Sequence, residues 1–124
     1  MTIPARLMGR IFLAIPFLVF GFTHLMYSDM MAGMVPQWIP GGAFWVIFTG
    51  VAEIAAGCAF LTGLKVKLAG YLTALLVLIY VLTIHLPAMM GAADAAAGMM
   101  SMTALLKDLG LIGGALLVAH SAGE

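Results

Sequence analysis

Phe44-Trp45-Val46-Ile47-Phe48-Thr49-Gly50-Val51-Ala52-Glu53-Ile54-Ala55-Ala56-Gly57-Cys58 is an apolar run of helical length interrupted by one carboxylate, Glu53. The run opens at Gly42. At ~1.5 Å per residue Glu53 falls about 16 Å into it, near the middle of a bilayer. A charge is costly at that depth, so an acid there marks a functional site by default. With about 3.6 residues per turn, Thr49, Gly50, Glu53, Ala56 and Gly57 share one face. That face is small and polar, which suits neighbouring helices better than lipid. Glu53 is expected either as a neutral acid in apolar surroundings or paired with His24, His85 or Lys107. It then either pins the helices together or handles a ligand or a proton.

The rest of the composition agrees with a membrane setting. Of 124 residues 65% are hydrophobic and 8% charged, and the mean hydropathy is +1.19. Soluble domains carry about 25% charged residues. The length suits one domain, residues 1–124, with about four spans of ~20 residues. The formal net charge is zero and there is no basic tract, which argues against nucleic acid as a partner. The single cysteine, Cys58, excludes a disulfide framework or a cysteine metal site within one chain. It reads as a small buried hydrophobe. Arg6 and Arg10 followed by an apolar run to Phe22 could mimic a signal peptide. The run is too long and has no small-x-small cleavage site, so a retained first span is expected.

The expected fold is all-α, an integral membrane four-helix bundle with spans at about 7–27, 42–61, 68–86 and 103–120. Pro16 removes the hydrogen bond to the Phe12 carbonyl and predicts a kink in span one. Pro36 and Pro40 forbid a regular helix between spans one and two. Tyr27, Trp38 and Trp45 are the amphipathic rings of a bilayer surface. Lys65 and Lys67 sit in a tight turn. Residues 88–102, rich in Ala, Gly and Met, read as a loop. In span four Gly110 and Gly114 form a GxxxG pair that would admit another helix. Arg6, Arg10, Lys65 and Lys67 fall on one side and only Lys107 on the other, so both termini are expected in the cytoplasm.

Two hairpins resemble each other faintly. Thr23-His24-Leu25 precedes Met30-Met31, Ile84-His85-Leu86 precedes Met89-Met90, and each following span brings an acid, Glu53 or Asp108. Two helical hairpins about a pseudo-twofold axis would explain this. The matched positions are few, and coincidence explains them as well as duplication does.

On this layout His24, His85, Lys107 and Asp108 lie towards the outer surface with Glu53 deeper beneath them. Five ionisable groups on four spans converge on the outer half of the bundle. Each has a bland alternative: a histidine at a helix end is often interfacial, and an acid suits the positive N-terminal end of a helix. Glu53 alone has no interfacial reading. His120 reads as structural. Nine of eleven methionines (Met26, Met30, Met31, Met34, Met89, Met90, Met99, Met100 and Met102) fall at outer ends or loops. With imidazoles they could bind Cu(I). They equally serve as adaptable packing around a hydrophobic ligand or at an interface.

Gly21-Phe22-Thr23-His24-Leu25, Met34-Val35-Pro36-Gln37-Trp38-Ile39-Pro40 and Phe44 to Glu53 together resemble the DoxX family. Lys67-Leu68-Ala69-Gly70 and Ile84-His85-Leu86-Pro87 fit its third-span pattern. The resemblance covers roughly residues 6–120. Its Thr-Gly-x-x-Glu core is the specific part, and the fourth span matches only loosely. It implies a four-helix bundle in the bacterial cytoplasmic membrane and a link to redox chemistry and oxidative-stress defence, since relatives include a small subunit of thiosulfate:quinone oxidoreductase. His24, Glu53 and His85 match pattern positions; Asp108 and the methionines do not carry over.

The expectation is therefore a quinone-linked redox subunit. His24 or His85 would hydrogen-bond a quinone head group and Glu53 would relay protons, making these three the catalytic candidates. Asp108 and Trp45 join them as candidates for cofactor binding. The sequence has no haem-attachment signature or cysteine cluster, so electrons would come from a redox partner protein, or the chain would act as a homo-oligomer that only binds. The competing readings are a non-enzymatic binding or transport module for a small apolar molecule or copper, and a structural subunit whose Glu53 only fixes packing.

Overall fold

The computed structural model describes residues 4–122. Helix α1 spans Ala5–Met26 and continues unbroken through Pro16. A short helix α2, Ser28–Met31, and a 3-10 turn, Ala32–Met34, follow. The chain then turns through Pro36 and Pro40 to Gly41 and Gly42, both at positive φ, a conformation glycine adopts without the Cβ clash. Helix α3 is Ala43–Thr62, closed by Gly63 in the left-handed region, whose N–H donates to the Ala59 carbonyl.

Helix α4, Val66–Tyr80, runs through a π turn, Val81–His85, into α5, Leu86–Met90. Helix α6 is Ala95–Ser121. Four stretches, Ala5–Met26, Ala43–Thr62, Val66–Met90 and Ala95–Ser121, are long and apolar enough to cross a membrane. There is no strand among the described residues.

Two of these bounds differ from the sequence reading. The third apolar helix reaches Met90 rather than 86, because Pro87 falls in the first turn of α5, straight after the π turn. The backbone ladder has already changed register there, so the missing proline N–H is tolerated. The fourth begins at Ala95 rather than about 103. Asp94 caps it, its Oδ1 accepting from the Ala97 N–H at 2.8 Å. Three alanines with high helix propensity then carry the helix forward.

The helices pair as two antiparallel hairpins, α1 with α3 and α4 with α6, joined side by side through α1–α6 and α3–α4. Glycines set the approach. Gly21 faces Gly50, Gly57 faces Ala14 and Leu18, and Gly70 faces Ala115 and Ala119. In lipid, such contacts between small residues replace hydrophobic burial as the packing force. Gly110 has open space around it among the described residues, and Gly114 meets only Leu13, so the GxxxG pair is not a close approach within the chain. The buried face of α6 is Asp108, Ala115 and Ala119 instead. Cys58 is exposed, not a buried hydrophobe. It follows Gly57, which takes the packing face, and so points outward.

Leu13, Ala14, Phe17, Phe60, Val66, Ala74, Val77 and Ala115 form the core. Phe17 and Phe60 pack ring to ring at 6.3 Å. This core lies towards the end where α1 begins and α6 closes. The other end of the bundle is hollow.

Candidate functional site

The hollow end holds a cavity of about 480 Å³ between all four long helices, with His24, Trp45, Glu53, His85, Lys107 and Asp108 in its wall. The catalytic and binding candidates His24, Trp45, Glu53, His85 and Asp108 thus line one space, within the size range of a small-molecule site. The rest of the wall is mainly apolar, including Phe17, Phe20, Phe48, Leu76 and Ile79, with Met31, Met34, Val35, Pro36 and Ile39 from the first connection.

Each hairpin contributes one histidine–carboxylate pair. His24, in the last turn of α1, places Nδ1 3.2 Å from Glu53 Oε2. The glycine crossing of Gly21 and Gly50 one turn away makes that reach short. His85 Nε2 lies 3.0 Å from Asp108 Oδ2 on α6. In both pairs the histidine closes the first helix of its hairpin and the acid lies inside the second. The histidine and acid of each half of the His–Met–acid pattern thus meet across their own hairpin.

The π turn positions His85. It adds a residue to the helical register and turns everything after it by about 100°. The Leu86 N–H bonds the Val81 carbonyl, and Thr83 Oγ1 donates to the Ile79 carbonyl at 2.6 Å. The irregular backbone is thus satisfied within the chain. Wide turns of this kind recur at functional sites.

Glu53 and Asp108 are each 3% exposed. Asp108 also holds Lys107, Nζ to Oδ1 at 3.1 Å, and the Lys107 ammonium sits 4.6 Å above the Phe20 ring. Glu53 has no such direct cation. His24 Nδ1 is only 2.6 Å from the Phe20 carbonyl. A carbonyl can only accept, so Nδ1 carries a hydrogen and gives it to Phe20. Glu53 Oε2 therefore receives no aligned hydrogen bond, and neither does Asp108 Oδ2, although His85 Nε2 is 3.0 Å away.

Trp45 is a wall rather than a hydrogen-bond donor. Its Nε1 donates to the Pro40 carbonyl at 2.6 Å. Its ring packs edge-on to Phe44 and Phe48. Gly41 lies against that indole, with φ at +112°.

Tyr80 is the residue the sequence reading missed. Its ring stacks on His24 at 6.5 Å between centroids. Its hydroxyl lies within interaction range of Glu53 and Thr49 but makes no hydrogen bond. The signal was available: tyrosines in spans belong at the interface, and Tyr80 stands well inside an apolar run. Among the described residues no group of three His, Cys, Asp or Glu side chains is arranged to hold a metal ion. Of the outer methionines, Met31 and Met34 reach the cavity, while Met26, Met30, Met90, Met99, Met100 and Met102 are exposed.

These features define an all-helical bundle, with helices long enough to cross a bilayer, enclosing a polar-headed apolar cavity at one end. The chain belongs to the family described as Domain of unknown function (DUF8561), whose profile matches residues 13–119. Nothing among curated proteins matches it. Nothing among solved structures does either.

Proposed function

We propose that this is a multi-pass protein of the bacterial cytoplasmic membrane that binds a quinone in the hollow end of its bundle, as the membrane subunit of a quinone-linked oxidoreductase. The observation that carries the reading is the cavity itself: apolar walls for a ring and tail, with two histidine–carboxylate pairs whose acids are buried, and a lysine, for the oxygens. Residues of this type hydrogen-bond a quinone head group and exchange protons with it. The DoxX resemblance points the same way. The four basic residues gathered at the packed end, Arg6, Arg10, Lys65 and Lys67, support a cytoplasmic packed end and a cavity in the outer half of the membrane. Electrons would come from a partner subunit.

The second reading is a binding or transport module for a soft metal or small apolar molecule. It is favoured by Met31 and Met34 lining the same cavity as His24 and His85.

The chain has two tryptophans, and only Trp45 lines the cavity. Trp38→Phe therefore leaves a reporter in the cavity wall. Titrating a decyl-substituted benzoquinone into that variant in detergent is expected to quench Trp45 fluorescence saturably. Linear, unsaturable quenching would sink the quinone reading. A copper adduct in native mass spectra, lost on replacing Met31 and Met34, would establish the second.

A further inference from the structure

Four buried side-chain atoms among the described residues have no hydrogen bond: Arg10 Nε, Glu53 Oε2, Tyr80 Oη and Asp108 Oδ2. Three of those residues, Glu53, Tyr80 and Asp108, line the one cavity. Buried polar groups are rarely left so, because the missing bond costs the full desolvation of the group. A cluster of three in one cavity points to a ligand that completes them.

The character of the three atoms says what that ligand must offer. Two are carboxylate oxygens, which only accept in the ionised form; the third is a phenol, which does either. The nearby donors leave these oxygens unmet: His85 Nε2 stands 3.0 Å from Asp108 Oδ2 but out of hydrogen-bond alignment, and the Tyr80 hydroxyl near Glu53 makes no hydrogen bond. His24 Nδ1 gives its hydrogen to the Phe20 carbonyl. Lys107 holds Asp108 through the other oxygen, Oδ1, and covers the Phe20 ring. Trp45 Nε1 is tied to Pro40. Two acceptors in the cavity wall are therefore left without an aligned donor.

A quinone, with two carbonyls, brings only more acceptors. Its two-electron reduced form carries two hydroxyls at opposite ends of the ring. We infer that the site is built for the hydroquinone, whose hydroxyls donate to Glu53 and Asp108, one on each hairpin. This rests on the quinone-site reading and refines it: the reduced form is what the pocket holds, with one hydroxyl for each histidine–carboxylate pair.

The test compares three ligands of one shape on the Trp38→Phe protein in detergent under anaerobic conditions. They are a decyl-substituted hydroquinone, its dimethyl ether, and the corresponding quinone. The hydroquinone is expected to bind at least about tenfold more tightly than either of the others, the worth of one hydrogen bond to a charged acceptor. Glu53→Gln and Asp108→Asn should each erode that preference. If either variant fails to fold, the wild-type ranking decides alone. A quinone that binds as tightly as the hydroquinone, or more so, overturns the inference and leaves the quinone site standing. Equal binding of hydroquinone and dimethyl ether overturns it too, since the hydroxyl hydrogens would then do nothing. Binding of none of the three removes the quinone reading and this inference together.

Discussion

His24 Nδ1 stands 2.6 Å from the Phe20 carbonyl and 3.2 Å from Glu53 Oε2, with one hydrogen to share between them. The shorter contact takes it, so the imidazole is anchored to its own helix and the Glu53 oxygen is left without an aligned donor. A glutamate that merely pinned α3 to α1 would not be left so. Breaking a fully made buried pair costs about 3–5 kcal/mol. Glu53→Gln keeps the shape and has no fully made pair to break, so its unfolding free energy in detergent is expected to stay within about 1 kcal/mol of the parent. Hydroquinone binding should fall about tenfold in the same variant. A large loss of stability with binding unchanged would assign Glu53 to packing.

Asp108 shares the unmet oxygen but has a direct cation on its other one. Its carboxylate is 4% exposed and in contact with both Lys107 and His85, whereas the Lys107 side chain is 45% exposed. Removing the acid strands its partners beside an apolar cavity, and Asp108→Ala is expected to cost about 3 kcal/mol. Lys107→Ala leaves a carboxylate that His85 still meets. Solvent screening reduces the value of the exposed ammonium, so that change should cost less than about 1 kcal/mol. Thermal or denaturant unfolding of the two variants side by side checks the asymmetry. Equal losses would mean that Lys107, not His85, is what holds Asp108.

The sequence made the helices and most of the site legible for different reasons. Helix number followed from apolar length, and Glu53 from the cost of an acid in mid-span. The gathering of His24, His85, Lys107 and Asp108 followed from placing each towards the same surface of the bilayer. What stayed hidden depends on register. The π turn before Pro87 has no sequence signature, yet it sets where His85 points. The glycine crossings were equally ambiguous: Gly110 and Gly114 have the spacing of a contact motif, but Gly21, Gly50 and Gly70 make the contacts. Spacing names the residues that share a face. It does not say which face meets a neighbour.

Glycine substitutions separate those two sets. A Cβ at Gly50 would lie 2.6 Å from His24 Cβ and 3.1 Å from the Gly21 carbonyl. At Gly70 it would lie 2.7 Å from both the Ala115 carbonyl and Ala119 Cβ. Either change forces its hairpin apart, and Gly50→Ala or Gly70→Ala should cost about 1–3 kcal/mol. Gly50→Ala should also weaken ligand binding, because the helix it displaces carries His24. Gly110→Ala meets open space and trades a poor helix former for the best one. It is expected to be neutral or slightly stabilising. A Gly110→Ala variant that lost stability or changed oligomeric state would show that this glycine packs against another chain.

Tyr80 offers the cleanest separation of structure from binding. Its ring stacks on His24 and fills part of the cavity wall, while its hydroxyl makes no hydrogen bond. Deleting a buried hydroxyl that bonds nothing removes a desolvated polar group at no cost in contacts. Tyr80→Phe is therefore expected to melt at or slightly above the parent temperature. If the hydroxyl is completed by a ligand, the same variant loses part of that ligand's affinity, about three- to tenfold for one neutral hydrogen bond. Tyr80→Ala differs in kind: it removes the ring against His24 and should cost about 3 kcal/mol by opening a void. Stability and hydroquinone affinity measured on both variants give four numbers. A Tyr80→Phe protein with lower stability and unaltered affinity would mean that the phenol already has a partner inside the protein. Unaltered stability with weakened affinity would place the hydroxyl at the ligand, beside Glu53.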